Sequence, residues 1–324
     1  MSIETFSNIM DDEVVKNLRA VNFTGTYGEA STHPRFFEFL HMIADRAPHK
    51  VMILIETNGG LRDEVWWEEF SLILKERFSE RSVGIFSIDG LDNETHQMYR
   101  RGVDFDKVMS NAKAFGKHCN VRWQMIEFEH NKHQFEDAKR MASELGWRFV
   151  KRRSRLRFIG GPDKSHMKVD KVRRDKWSKN EVHISVEDIK KKNSLKVDDD
   201  YYNTTEIICE WKKKNQISID YTGRVWQCCY FSTFYHPEYF LNETDDVDSK
   251  IMVVTEREGL SWYENKYSVD WNLTTKRKLS EIMNHRFFKD DLPKSFGNRT
   301  DSTEYPRVSR CSKFCGEKTR EFEK

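Results

Sequence analysis

The first half of this chain is predicted to be an α/β fold, with a smaller α+β region after it, and three observations predict this. Short apolar runs alternate with amphipathic segments from Leu18 to about Phe149, and they recur in the order strand then helix. Past Arg148 the pattern gives way to a basic stretch and then to a region rich in cysteine. Repeated strand-helix order favours parallel strands joined by crossover helices, so the sheet is doubly wound or a full or partial barrel. In either case a site is built on the loops after the C-terminal ends of the strands.

Val21 to Thr24 reads as a strand, and Arg35 to Ala47 as a helix with Phe36, Phe39, Leu40 and Ile43 on one face. Val51 to Ile55 is the next strand and Glu64 to Phe78 the next helix. Val83 to Ile88 follows as a strand, Phe105 to Cys119 as a helix, Val121 to Ile126 as a strand, and Gln134 to Leu145 as a helix closed by Gly146. Lys151 to Asp200, crowded with Lys and Arg and containing the turn Gly160-Gly161-Pro162, reads as a last strand followed by an exposed connection. Ile217 to Trp226 alternates apolar and polar residues about a turn at Thr222-Gly223, which predicts a β-hairpin. The domain boundaries are 1–160 for the α/β core, 161–205 for a basic connecting segment, and 206–324 for the cysteine-bearing domain.

Composition bounds the function classes. With 324 residues, 37% of them hydrophobic and 13% aromatic, the chain can bury a large core and a second, smaller one. No apolar run approaches bilayer-spanning length, and Met1 to Asp12 lacks the pattern of a signal peptide, which predicts a cytoplasmic protein without a membrane partner. Fifty-five basic residues balance 53 acidic ones, so net charge gives no argument for a polyanionic partner. Nucleic acid is therefore not the expected partner, although the basic stretch from Lys151 to Lys179 could contact phosphate. Five of the six cysteines, Cys209, Cys228, Cys229, Cys311 and Cys315, lie in the last part of the chain, and in a reducing compartment this favours metal ligation over disulfides. The histidines are scattered without a ligand-like grouping and read as surface or capping residues, and Cys119 reads as a small buried residue.

Three strands deliver polar and glycine residues at their C-terminal ends: Gly25 to Glu29, Glu56 to Gly60 with Thr57 and Asn58, and Ser87 to Gly90 with Asp89, followed by Tyr99-Arg100. Glycines let a backbone approach a ligand, and a Glu can accept from an ammonium group. In this order and spacing the segments resemble the core of the radical S-adenosylmethionine (radical SAM) superfamily over roughly Met1 to Phe158. The resemblance implies a partial (β/α)6 TIM-like barrel. It implies that Gly28 and Glu29 hold the methionyl amino group of SAM and that Ser87 and Arg100 hold its carboxylate or ribose. Thr57, Asn58 and Asp89 would border the same pocket, and Gln124, Met125 and Ile126 would flank the adenine. Ala30 stands where the family usually has Pro. The implied activity is generation of a 5′-deoxyadenosyl radical for hydrogen abstraction.

The family binds its core [4Fe-4S] cluster through a Cys-x3-Cys-x2-Cys loop after the first strand, yet no cysteine precedes Cys119 here. On this reading Ser2 to Leu18 is the first helix, the first strand and cluster loop are absent, and the Val21 strand is an exposed sheet edge. A core cluster is then expected only with an upstream segment, from a longer reading frame or a separately encoded N-terminal fragment. The alternative is a non-catalytic SAM-binding or iron-sulfur interaction protein, and a third reading is an RNA-modifying enzyme.

Thirteen residues separate Cys209 from Gly223 and four separate Gly223 from Cys228, with Cys311 and Cys315 closing the set. This resembles the SPASM or shorter "twitch" domain that follows many radical SAM cores. The resemblance implies an auxiliary [4Fe-4S] cluster on Cys209, Cys228, Cys311 and Cys315, with Leu279 to Asn284 as the short helix before the late pair. Cys229 could replace Cys228, and tetrahedral zinc suits four thiolates equally well. Many SPASM relatives modify peptides or proteins, so a peptidyl substrate is the implied partner beside SAM.

Overall fold

The computed structural model describes residues 1–25, 28–153, 200–232, 262–263 and 265–317. The Gly160-Gly161-Pro162 turn and all but the first residues of the basic stretch lie outside them. The described residues divide into two compact units, 12–153, and 1–11 together with 200–317.

The first unit is an α/β sheet of five parallel strands. They are β1 (Ala20–Phe23), β2 (Met52–Thr57), β3 (Val83–Ser87), β4 (Asn120–Glu127) and β5 (Arg148–Arg153). Their order in the sheet is their order in sequence, each strand pairing in parallel with the next. A doubly wound sheet reverses its strand order at a switch point. No reversal occurs here, so of the sheet types predicted the doubly wound one is ruled out for these strands. One residue of each strand then alternates toward the helices and the next away from them. In register, Phe23, Ile55, Gly84 and Val121 share one face, as do Thr57, Phe86, Trp123 and Phe149.

That face carries the core. Helices α3 (Phe36–Arg46), α4 (Glu64–Arg77), α6 (Phe105–Gly116) and α7 (Phe135–Glu144) connect the strands. Their apolar periodicity was the signal for them, and Phe36, Phe39, Leu40 and Ile43 of α3 are all buried. Trp67 and Phe70 of α4 and Phe115 of α6 meet Phe86 of β3 in a continuous aromatic cluster, with ring centroids 5.1–6.1 Å apart for the Trp67–Phe86, Phe70–Phe115 and Trp67–Phe115 pairs. Each such buried ring stabilises the fold by roughly 1.5–3 kcal/mol. Asp63 and Asp104 cap α4 and α6 by accepting from the N–H groups of Trp66 and Lys107.

Two elements depart from expectation. A further helix, α5 (Asn93–Tyr99), lies between β3 and α6. Its sequence has no apolar stripe, and what starts it is Asp92, whose carboxylate accepts from the Thr95 N–H at 2.7 Å. The predicted single helix from Ser2 to Leu18 is two, α1 (Ile3–Ile9) and α2 (Asp12–Asn17). α1 belongs to the second unit, where Asn8 donates to the Thr274 carbonyl at 2.8 Å and Asp11 accepts from the Ser280 N–H at 2.8 Å.

In the second unit the predicted hairpin forms, β6 (Ser218–Ile219) pairing antiparallel with β7 (Val225–Trp226). Asp220 organises its turn, its Oδ1 accepting from the N–H groups of Thr222 and Arg224. Gly223 sits at φ +89°, and a Cβ there would stand 2.6 Å from Thr274 Oγ1, so both conformation and space require glycine. Trp226, Phe231, Tyr263, Trp271 and Phe287 form the core of this unit. Among the described residues no helix is long and apolar enough to cross a membrane.

Candidate functional site

Because the strands are parallel, the segments after β1, β2 and β3 emerge at one end of the sheet. Two hydrogen-bonded clusters form there. In the first, Glu29 accepts from the Thr57 hydroxyl at 2.7 Å on Oε2 and from the Asn58 N–H at 2.8 Å on Oε1. Thr57 in turn accepts from the Gly59 N–H and Asn58 from the Gly60 N–H, both at 2.9 Å, which fixes the turn after β2. Gly28, beside Glu29, holds φ +141°, a backbone conformation open to glycine. A carboxylate offers about four lone-pair sites, so Glu29 keeps capacity for a further donor.

The second cluster centres on Asp89, which is fully buried. Its Oδ2 accepts from Arg100 Nε and its Oδ1 from the Ile126 N–H, both at 2.6 Å. Asn131 donates to its carbonyl, and its N–H donates to His96 Nδ1. Burial raises the carboxyl above the ordinary carboxylate range against the opposing pull of Arg100 and the Ile126 N–H. The Asp89 carboxylate is thus engaged by the protein's own groups, tying the end of β3 to β4 and orienting Arg100.

His96 was expected at the surface, yet it is fully buried. Its place follows from α5, which turns the ring under the β3 loop so that it accepts from the Asp89 N–H. Burial lowers its pKa to about 4 from 6.5. The unfolded chain therefore binds a proton below pH 6.5 that the folded chain refuses until about pH 4. The stability contributed by neutral His96 is full above pH 6.5 and lost as pH falls toward 4, a change of roughly 3 kcal/mol. Urea unfolding at pH 7.5, 5.5 and 4.5 should show this slope in the native protein. His96→Asn, which keeps an acceptor but does not titrate, should flatten it, and an unchanged slope would contradict the assignment.

Ser87, Gln124 and Ile126 lie on the sheet face opposite the helices, with Ser87 in register with Gln124. Gln124 Oε1 accepts from Arg152 Nε at 3.0 Å. Met125 is fully buried on the helix side, away from that face. The residues that sequence reasoning missed, His96 and Asn131, sit in polar segments with no periodicity to mark them, whereas Arg152 falls in the basic stretch read as able to contact phosphate.

Cys209, Cys228, Cys311 and Cys315 all line one small cavity, together with Tyr230, Phe231 and Phe314 among others. Several long-range bonds bring them there. The Ile208 N–H donates to the Cys315 carbonyl at 3.1 Å, and the Ser312 hydroxyl to the Tyr202 carbonyl at 2.6 Å. Arg307, nearly buried, donates to the carbonyls of Thr205, at 2.9 Å, and Phe296. These bonds hold the segment before Cys209 against the helix Ser309–Cys315, one turn of which supplies both late cysteines. Cys228 enters from the end of the hairpin. Cys229, which could have replaced Cys228, does not line the cavity: β7 ends at Trp226 and Cys229 starts a helical turn, Cys229–Ser232.

Of the four thiols at the cavity only Cys209 is drawn below the ordinary thiol range; the other three are pushed above it, Cys315 by its contact with Cys209 and by burial. Cys209 is the N-cap of the helix Glu210–Lys213 but makes no side-chain capping hydrogen bond, and its sulfur lies beside Cys315. The Cys315 hydrogen bond, offset in part by burial, draws the Cys209 thiol down to about 6. Burial pushes Cys228 up to about 12, while the N–H groups of Tyr230 and Phe231 act in the other direction. Burial likewise raises Cys311 far above the ordinary thiol. Four cysteines are a donor set that suits a [4Fe-4S] cluster or tetrahedral zinc. Among the described residues no three His, Cys, Asp or Glu side chains are grouped closely enough to hold a metal ion.

No protein-family model and no curated protein matches the chain. Among solved structures it is similar to Streptococcus suis SuiB, at 15% identity and a TM-score of 0.43, over 71% of this chain. The same holds for SuiB bound to S-adenosylmethionine, with a TM-score of 0.43, and to the precursor peptide SuiA, with 0.42. The chain spans about half the length of these structures, 53% of the first.

Proposed function

We propose that this chain is a radical SAM-type protein, its parallel sheet forming part of a TIM-like (β/α)6 barrel that binds SAM and its C-terminal unit holding an auxiliary [4Fe-4S] cluster of the SPASM or twitch kind. The observation that carries the reading is the meeting of Cys209, Cys228, Cys311 and Cys315 at one cavity, since these are the four that the motif spacing selected. Their ligand roles rest on that convergence. Bound there, the cluster supplies one-electron chemistry; the chain's own residues bind, orient and exclude water.

At the strand ends, Glu29 receives the methionyl ammonium of SAM, braced by Thr57 and Asn58 so that its oxygens cannot turn away. Arg100, oriented by Asp89, is directed to the carboxylate or ribose, with Ser87 beside it. Gln124 and Ile126 form the wall for the adenine. A core cluster belongs to this reading only with a segment that carries Cys-x3-Cys-x2-Cys. Following the SPASM resemblance, a peptide or protein is the proposed substrate.

Calorimetric titration with SAM tests the assignment of Glu29. Glu29→Gln removes a charge-assisted hydrogen bond worth about 1.5–3 kcal/mol, so affinity should fall roughly ten- to a hundredfold. Binding unaffected by this change would refute the role.

A further inference from the structure

We infer that the sheet face opposite the helices is a binding surface for an anionic group of the substrate, a carboxylate or a phosphate, held by Arg122, Arg148 and Arg152. This rests on the reading of the sheet as part of a SAM-binding barrel, in which that face turns toward the substrate.

Alternation along β4 and β5 places the three arginines on one face. Arg122 and Arg148 are register partners on neighbouring strands, and Arg152 pairs with Ile126 four residues further along. Like charges directly opposite each other in a sheet are destabilising. A sheet built for stability alone would put an acidic or neutral residue at one of these positions.

Glu56 is the carboxylate that reaches Arg122 electrostatically, from two strands away, and it already accepts from Asn22 at 3.2 Å. Arg122 Nε is buried and makes no hydrogen bond. Burial and the charges of Arg148 and Arg152 draw the Arg122 guanidinium below its ordinary value. Arg152 is steered by Gln124, so its position is set while its charge is not neutralised there. A partly buried guanidinium with an unused N–H, beside two more of the same charge, has the form of an anion site awaiting its ligand. Guanidinium forks match carboxylate and phosphate oxygens bidentately.

Thermal unfolding of the full chain, with sodium phosphate or sodium glutarate as probe and ionic strength held constant with sodium chloride, tests this. The native protein should gain stability with a saturable dependence on one or both probes. Phosphate alone would identify a phosphate-bearing substrate and glutarate alone a carboxylate-bearing one. Arg148→Gln should unfold at a higher temperature than native protein without anion, because the opposed charge is gone, and its apparent affinity for the probe should fall at least tenfold. Arg122→Gln should show the same loss of affinity. Equal stabilisation of native and variant proteins, or no response beyond that to chloride, would overturn the inference. SAM titration and iron content, measured on the same Arg148→Gln sample, distinguish this failure from failure of the barrel reading: both are expected to match native protein.

Discussion

Cys311→Ser is expected to remove most of the bound iron and sulfide from anaerobically prepared protein, together with the sulfur-to-iron absorbance, while Cys229→Ser keeps both. Cys311 is buried and shares its helical turn with Cys315, so on the proposed ligand set its loss removes one of the four ligands. Cys229 starts a separate helical turn and lies outside the cavity. Cluster binding also contributes to folding, because a preformed site rarely exists in the unfolded chain. The Cys311→Ser protein should therefore unfold its C-terminal unit at a lower temperature than the reconstituted native protein. Stoichiometric zinc in native protein, or equal iron loss from Cys229→Ser, would overturn the assignment.

Asp89→Ala is expected to lower stability by about 3–5 kcal/mol, the cost of removing one partner of a buried ion pair. Arg100, with 22% of its side chain exposed, would lose its carboxylate, and the Ile126 N–H would lose its acceptor. Asp89→Asn keeps an acceptor and the shape, and should cost less. The double change Asp89→Ala with Arg100→Met should recover part of the loss, since no unpaired charge is left behind. Urea unfolding of native protein, Asp89→Ala, Arg100→Met and the double variant measures the coupling. Additive costs would show that Arg100 is paired too weakly with Asp89 to be oriented by it.

Both results bear on what could be read without coordinates. The sheet was legible because burial leaves a local mark: the alternation around Ile53 and Ile55 and the spacing of Phe36, Phe39, Leu40 and Ile43 each repeat with the period of their element. The cysteine set was proposed from the resemblance of its spacing to the SPASM or twitch domain, and the turn at Gly223 marks where the chain folds back.

By itself, then, the sequence determined most of the strands and helices and that the strands run parallel, and it singled out the cysteines of the last part of the chain as candidates. The tertiary structure decided the unreversed strand order, the assignment of α1 to the C-terminal unit, the burial of His96, and the alignment of Arg122 with Arg148. It also turned Asp89 from a pocket residue into the buried brace of Arg100. The reason is that these outcomes depend on partners far apart in sequence, such as Asp11 with Ser280 and Asp89 with Ile126. Periodicity records which side of an element is buried, but not which distant group meets it there.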